Sequence, residues 1–296
     1  MVEVATINSE DFSYKRIAVK PIAGALGAEI EGVNIAAGVD QETQDEIYRA
    51  WLENNVIFFR NQSIAPKQQI DFAKQFGKIH LHLFNKAMDD HPEITEVLKT
   101  PEMRSNAGGR WHSDQMYTPK PAKATMLYSR EMPEGRGDTM FSNMYLAYES
   151  LSEGMKASLI GLRAIHNGDS RNHPSGKTRA ERVQDGTIHM PQINPGKSQT
   201  ISSHPVVPTH PETGRKLLYI GGHTERFDGW TEEESQQLLD FLKTHATRPE
   251  FTCRFQWTVN AMAMWDNRCC QHFAINDYDG YQRRMHKIMV KGDEPF

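Results

Sequence analysis

The stretch WHSDQMYTPKPAKATMLYSREMPEGRGDT, residues 111–139, combines a polar pair, an apolar run and a glycine-rich turn. The run at residues 124–133 is typical of a β-strand. His112 and Asp114 precede it, two positions apart. Side chains two apart in an extended segment point to the same side, so both could face one ion. The stretch therefore predicts a strand-based fold with a candidate metal site.

Composition describes an ordinary water-soluble chain of 296 residues with a net charge of −4. One domain spanning residues 1–296 fits this length. No basic block suggests a nucleic-acid partner, and no apolar run approaches the ~18 residues of a membrane helix. The three cysteines do not suggest a disulfide framework, and the N-terminus lacks a signal-peptide core. We therefore expect a cytoplasmic protein without nucleic-acid or membrane partners.

Strand patterns dominate the chain, and helical patterns are few. Helices are predicted at residues 40–55, 65–77 and 231–246, the last with a Thr231–Glu234 capping box. Strands are predicted at residues 16–22, 28–35, 56–60, 124–133, 251–257, 261–267 and 284–292, and residues 138–151 run from a strand into a helix. The pattern does not alternate strand with helix. It predicts a mainly β, α+β fold, an antiparallel sandwich or barrel with flanking helices.

Three segments carry weaker signals. Residues 204–222 predict two strands around the turn at residues 210–216. Residues 80–125 look irregular before the strand at 124. Residues 166–203 have almost no apolar periodicity, and so long a polar segment in a compact domain is typical of an active-site lid, a binding loop or a disordered segment.

His272 supplies a third candidate ligand. It follows an apolar strand and a Trp-Asp-Asn turn. Two histidines and one carboxylate on one face of an ion form the facial triad of non-haem Fe(II) oxygenases. The alternative is that His112 and Asp114 are an ordinary polar pair on a loop and that His272 is a core histidine. It stays open because sequence spacing alone does not bring residue 272 to residue 112.

The chain resembles, in order and nearly end to end, the taurine dioxygenase family of Fe(II)/2-oxoglutarate oxygenases, which includes the phenoxyacetate dioxygenases. The matching segments are GAEIEGVNI, VIFFRNQSI, QIDFAKQFGKIHLH, the opening stretch, HPVVPTHPETGRKLLYI, MWDNRCCQHFAINDY, QRRMHK and GDEPF. The resemblance implies a double-stranded β-helix, a jelly-roll or cupin-like core. It also implies that His112, Asp114 and His272 bind Fe(II), that 2-oxoglutarate and O₂ are co-substrates, and that residues 166–203 are a lid.

The resemblance assigns a threonine and an arginine to the far carboxylate of 2-oxoglutarate. Thr139 stands in the family's Gly-Asp-Thr. Arg283 lies eleven residues after His272, as in the family, and counting back from Met-His-Lys selects it again. Aligning Gln-Arg-Arg selects Arg284 instead. Neighbouring strand residues face opposite sides, so only one can serve; we predict Arg283 and keep Arg284 as the alternative.

His82 and Lys287 stand where taurine-specific members bind substrate. The family has arginine at position 287 and asparagine at position 108, which is glycine here. Lysine keeps the positive charge but lacks the planar fork of arginine. Taurine itself is therefore not expected, and the resemblance implies a related small anion: a sulfonate, an alkyl sulfate ester or an aryloxyalkanoate. An ordinary buried histidine and a snorkelling lysine are the alternative.

The resemblance implies a dioxygenase that hydroxylates its substrate while 2-oxoglutarate is decarboxylated to succinate and CO₂, and an assembly of two or four copies. Two other classes remain open. A zinc hydrolase could use the same three ligands, although it would not need the second carboxylate anchor at Thr139 and Arg283. The second class is a non-catalytic jelly-roll binding protein. The complete set of three metal ligands argues against it.

Overall fold

The computed structural model describes residues 13–169, 175–186 and 200–296. Its helices are α1 Gln41–Asn54, α2 Pro66–Lys74, α3 Met144–Glu149, α4 Glu153–Leu159, α5 Arg179–Gln184 and α6 Glu232–Ala246. Its strands are β1 Ala18–Pro21, β2 Ala28–Glu31, β3 Val56–Phe59, β4 Ile79–His80, β5 Thr95–Lys99, β6 Ala122–Glu131, β7 Thr139–Asn143, β8 Arg163–Asn167, β9 Ile201–Pro205, β10 Thr224–Phe227, β11 Thr252–Phe255, β12 Met262–Asp266, β13 Cys270–Ala274 and β14 Arg283–Lys291.

The main sheet has the strand order β1-β2-β3-β12-β6-β14-β4, and β5 also pairs with β14. All its pairs are antiparallel except β2–β3. Two smaller antiparallel sheets have the orders β11-β7-β13 and β10-β8-β9. This is the mainly β fold with flanking helices that the sequence predicts, with a double-stranded β-helix core.

Strand β3 is apolar throughout because both faces of the main sheet are covered. Phe58 points toward the β11-β7-β13 sheet, where it stacks on Phe255 with ring centroids 4.0 Å apart. Ile57 and Phe59 point to the other face and pack in the core cluster that includes Trp51 of α1 and residues of α2. The main sheet thus separates two cores. The site described below lies on the side that faces the β11-β7-β13 sheet.

The helix predictions are confirmed, and their ends follow from local capping. Asp40 accepts a hydrogen bond from the Thr43 amide at 2.8 Å and starts α1. Thr231 and Glu234 form the expected capping box of α6. Within the described ranges, no helix has the length and apolar character needed to cross a membrane.

The observed elements differ from the predicted ones in four places, and the lid assignment of residues 166–203 stays a prediction. In residues 204–222, β9 ends at Pro205, and the turn carries only a bridge between Thr209 and Lys216. Strand β5 lies inside the segment expected to be irregular, and β13 was not predicted. Strands β8 and β9 extend into both ends of the segment 166–203, and α5 lies within it. Residues 170–174 and 187–199 of the expected lid lie outside the described residues.

Candidate metal centre

The two candidate metal-binding histidines are main-chain neighbours. His112 and His272 form an isolated antiparallel bridge, in which each amide donates to the other's carbonyl, at 3.1 and 2.9 Å. Their imidazole centroids lie 4.1 Å apart. Strand β13 carries His272 to this position by pairing with β7, where His272 lies opposite Phe141. The tertiary pairing therefore joins the two distant sequence motifs.

Asp114 completes the group. Its Oδ1 lies 3.9 Å from His112 Nε2, and its Oδ2 lies 3.9 Å from His272 Nε2. One ligand atom from each residue lies within 4.8 Å of the others, close enough for a single ion to contact all three. Asp114 and His272 are buried, and His112 is nearly so.

The protonation states suit a metal ligand set, which needs neutral imidazoles and an ionised carboxylate. Burial lowers the pKa of His112 and lowers that of His272 still further. Burial would raise the pKa of Asp114, but the Lys287 ammonium holds it well below its usual range. His112 Nδ1 donates to the Arg110 carbonyl at 2.7 Å, which leaves Nε2 with a lone pair toward Asp114.

The Trp-Asp-Asn turn fixes the carboxylate of Asp114. Asn267 Oδ1 accepts from the Asp114 amide at 3.2 Å and from Trp265 Nε1 at 2.9 Å. Asn267 Nδ2 donates to the Thr125 hydroxyl, which in turn donates to Asp114 Oδ2 at 2.7 Å. This chain of hydrogen bonds orients the ligand from behind, as outer partners do in metal sites.

One cavity of about 550 Å³ joins the predicted site residues, a size typical of small-molecule sites. Its lining includes all seven of them: His82, His112, Asp114, Thr139, His272, Arg283 and Lys287.

Arg283 and Arg284 differ sharply in environment. Arg283 is 4% exposed, and its Nε and Nη2 have no hydrogen-bond partner among the described residues. Burial lowers its pKa, yet a guanidinium stays charged. Arg284 is half-exposed and pairs with Glu131 at 3.3 Å and Glu96 at 3.8 Å. A buried cation that forms no ion pair is costly, so of the two arginines Arg283 is the better placed for an incoming carboxylate.

Thr139 lies at the start of β7, buried in the wall of the same cavity. Its hydroxyl oxygen accepts from Trp257 Nε1 at 2.9 Å. Since a hydroxyl can donate once while it accepts, Thr139 can still donate one hydrogen bond to a carboxylate.

The two predicted substrate residues are engaged with the protein itself. Lys287 Nζ donates to Asp114 Oδ1 at 2.5 Å. His82 Nδ1 accepts from the amides of Phe84 and Asn85, both at 3.1 Å. Burial, followed by the charges of Lys287 and Arg179, lowers the pKa of His82 well below its usual value.

Sequence reasoning missed further polar residues of the cavity wall, namely Arg110, Arg179, Arg182 and His223. Arg179 and Arg182 lie on α5, whose capping box at Thr178 and Glu181 is the signal that could have predicted this helix.

A second group of potential ligands, His210, Asp266 and Cys269, already has interactions within the protein. The Asp266 carboxylate already accepts from Arg268 and lies 3.1 Å from His210 Nε2. Burial raises the pKa of the Cys269 thiol well above its usual value, so the thiolate that a metal requires is disfavoured. The group is an ion-pair network that stabilises the turn before β13.

Comparisons with known proteins agree with this geometry. The family model described as "Taurine catabolism dioxygenase TauD, TfdA family" matches residues 18–289. An alkylsulfatase from Acinetobacter baylyi is 33% identical over 280 residues, covering 94% of this chain and 86% of the relative. An alpha-ketoglutarate-dependent sulfate ester dioxygenase from Pseudomonas putida is 31% identical, covering 94% of this chain and 90% of the relative.

Solved structures give the same result. A taurine dioxygenase from Burkholderia xenovorans superposes with a TM-score of 0.78 at 32% identity, covering 95% of this chain and 91% of that one. A structure of AAD-2 in complex with Mn(II) and N-oxalylglycine has a TM-score of 0.77 at 26% identity, covering 94% and 98%. The chain belongs to the TauD/TfdA family of dioxygenases.

Proposed function

We propose that this protein is an Fe(II)- and 2-oxoglutarate-dependent dioxygenase that hydroxylates a small anionic organic substrate. One observation carries the proposal: a buried His-Asp-His group shares a cavity with a buried arginine whose Nε and Nη2 have no partner among the described residues. The names of the relatives, which include sulfate ester, sulfonate and 2,4-dichlorophenoxyacetate dioxygenases, support the reaction type.

Within this proposal, His112, Asp114 and His272 hold the metal, which when bound supplies the activation of O₂ for oxidation of 2-oxoglutarate and substrate. The two imidazoles are neutral and the carboxylate is ionised, so the site offers the metal its ligands without losing protons first. Arg283 and Thr139 bind the far carboxylate of 2-oxoglutarate, the arginine through charge and the threonine through its hydroxyl proton.

Two aromatic side chains shield His272 from water. The centroid of the Trp265 ring lies 4.6 Å from the centroid of the His272 ring. The centroid of the Phe141 ring, on β7, lies 6.4 Å from it. Both are fully buried. Shielding the metal ligands from water in this way would favour oxidation that is coupled to substrate.

Lys287 contributes positive charge for the substrate's anionic group, and His82 contributes a hydrogen-bond donor. Lys287 also holds Asp114, so the same ammonium would orient a metal ligand and attract the substrate. We extend the proposal to residues 1–296 as one domain, to a homodimer or homotetramer, and to a cytoplasmic location. The family match over residues 18–289 supports the single domain.

A panel of sulfonates, alkyl sulfates and aryloxyalkanoates tests the proposal, with succinate measured in the presence of Fe(II), 2-oxoglutarate and O₂. We expect an anionic compound to stimulate succinate formation, and Lys287→Ala to raise the KM for it at saturating Fe(II). Activity that needs Zn²⁺ but neither O₂ nor 2-oxoglutarate would support the hydrolase instead. Stimulation only by neutral or cationic compounds would exclude an anionic substrate.

A further inference from the structure

One side chain of the cavity wall has a polar group that the proposed function does not use. Tyr117 lines the cavity three residues after Asp114, and it is only 3% exposed. Among the described residues, its hydroxyl has no hydrogen-bond partner. The hydroxyl of a buried tyrosine usually has one. The Tyr117 hydroxyl is therefore available to a molecule bound in the cavity.

Three neighbours hold the Tyr117 ring in place. The centroid of the Phe84 ring lies 5.6 Å from that of the Tyr117 ring, and the centroid of the His223 ring lies 4.9 Å from it. Gly168 packs directly against the ring, because a Cβ at Gly168 would lie only 2.9 Å from the ring atoms Cδ2 and Cε2. A larger residue there would displace the ring. The hydroxyl is thus held in position before a ligand binds, which lowers the entropic cost of binding to it.

The neighbours of Tyr117 connect it to the metal group and to a predicted substrate residue. The His223 ring that packs against Tyr117 has its centroid 6.0 Å from the centroid of the His112 ring. The amide of Phe84, the other aromatic neighbour, donates to His82 Nδ1 at 3.1 Å. The phenol therefore lies in the part of the cavity where the proposed function places the substrate.

The residues assigned to 2-oxoglutarate and to the substrate's anionic group have other surroundings. The Arg283 guanidinium lies 5.9 Å from the centre of the Tyr278 ring and packs beside Gly137. The Lys287 ammonium lies on Asp114. Tyr117 can therefore bind a part of the substrate that neither of these cations holds.

The Tyr117 hydroxyl is a hydrogen-bond donor at neutral pH. Burial raises the pKa of this phenol well above its usual value, although the Arg179 and Arg110 guanidinium groups act to lower it. The phenol therefore keeps its proton and can donate one hydrogen bond. An oxygen that carries no proton of its own, as in an ether or a carbonyl group, is the matching partner.

We propose that Tyr117 is a specificity-determining residue, and that the preferred substrate carries a hydrogen-bond-accepting oxygen in addition to its anionic group. The anionic group lies toward Lys287, and Tyr117 donates to the second oxygen. An analogue without this oxygen binds less well, because the buried hydroxyl is then left without a partner. The inference rests on the proposed function, since it concerns the substrate of the same metal centre. It narrows the substrate class from small anions in general to anions that contain an ether or carbonyl oxygen.

Binding to a non-reactive complex tests the role of Tyr117 without requiring turnover. The protein is loaded with Mn(II) and N-oxalylglycine. Calorimetry then measures the Kd of straight-chain sulfonates and carboxylates, each compared with ethers of the same length in which one methylene group is replaced by oxygen, position by position. We expect the best ether to bind at least about fivefold more tightly than its methylene analogue. Tyr117→Phe should abolish this preference and leave the Kd of the methylene analogues within about twofold, because it removes only the hydroxyl.

Tyr219→Phe is the matched control, since it removes the hydroxyl of another buried tyrosine. Tyr219 is 4% exposed but does not line the cavity, so its replacement should not change the preference for the ether. An unchanged affinity for N-oxalylglycine in each variant verifies that the site is folded. A preference that is absent from the unmodified protein, or that persists in Tyr117→Phe, would overturn the role of Tyr117. Failure to bind Mn(II) and N-oxalylglycine at all would instead contradict the proposed function.

Discussion

Asp114 is the residue on which the metal group depends. Both of its oxygens accept hydrogen bonds, Oδ1 from Lys287 and Oδ2 from Thr125. Its amide is held by Asn267. Each of these partners comes from a different strand or turn, so the orientation of one carboxylate reports the correct assembly of the whole centre.

Replacement of His272 by alanine removes one of three protein ligands from this group. We expect metal affinity to fall by more than about 100-fold, because loss of even an outer partner in a metal site costs about 10–100-fold. Metal content after dialysis and succinate formation with added Fe(II) measure the two consequences. His91→Ala, outside the cavity lining, is the control, and full activity of His272→Ala would rule out the triad.

The two neighbouring arginines should respond very differently to replacement. Arg283→Ala leaves a bound carboxylate without its buried partner, a loss of roughly 2–5 kcal/mol, so the KM for 2-oxoglutarate should rise by about 30-fold or more. Arg284 is half-exposed, and exposed ion pairs contribute only about 0–1 kcal/mol. Arg284→Ala should therefore leave this KM nearly unchanged. The reverse result would identify Arg284 as the anchor.

At the scale of elements, β14 carries two functions on one face. Arg283 and Lys287 are four residues apart and both line the cavity, whereas Arg284 points to the other side and pairs with glutamates there. Strand β14 is held between β5 and β6, which fixes its register along almost its whole length. A register shift by one residue would exchange the buried and exposed arginines.

The turn before β7 lets Arg283 lie close to the backbone. Gly137 has φ +70°, and a Cβ there would lie 3.2 Å from Cδ and Nε of Arg283. Gly135 has φ +65°, but its Cβ would meet nothing nearer than Gln256 at 3.9 Å. The two glycines share the left-handed conformation and differ in what surrounds them.

We therefore expect Gly137→Ala and Gly135→Ala to lower the free energy of unfolding by similar amounts, about 1–2 kcal/mol, because a Cβ is unfavourable in this conformation. Only Gly137→Ala should also raise the KM for 2-oxoglutarate, since it displaces the guanidinium. Urea unfolding and succinate kinetics measure both effects. An equal change in KM for the two variants would show that turn strain, rather than contact with Arg283, is responsible.

At the scale of the whole molecule, many histidines are buried and have lowered pKa values. Burial is the first cause in each case, and it brings the pKa of His286 to about 4. The other lowered histidines are His80, His82, His112, His166, His204, His223 and His272. The folded protein therefore holds these rings neutral at a pH at which the unfolded chain protonates them.

The sign of the resulting pH dependence follows directly. Between the unfolded histidine pKa of about 6.5 and the lower folded values, the unfolded state binds more protons, so the free energy of unfolding falls as the pH falls. We expect stability to be full above about pH 7 and to decline steadily toward about pH 4, as measured by urea unfolding of the metal-free protein. His286→Gln should flatten part of this slope. Constant stability across that range would contradict the buried neutral histidines.

Local sequence determined the three longest helices and pointed to the candidate metal ligands. Helices α1, α2 and α6 follow from capping residues and a periodic apolar stripe, which are properties of neighbouring residues. The spacing of His112 and Asp114 already limited them to one side of an extended segment. Family resemblance added Thr139 and Arg283 and assigned His272, already a candidate, to the metal; all three line the cavity.

Only the tertiary structure decided which of these side chains meet and which charges lack a counterion. The bridge between His112 and His272 depends on pairing between strands that are distant in the chain, which no local pattern encodes. The difference between Arg283 and Arg284 arises from the face of β14 that each occupies. Local propensity acts over a few residues, whereas burial and ion pairing depend on the whole packed molecule.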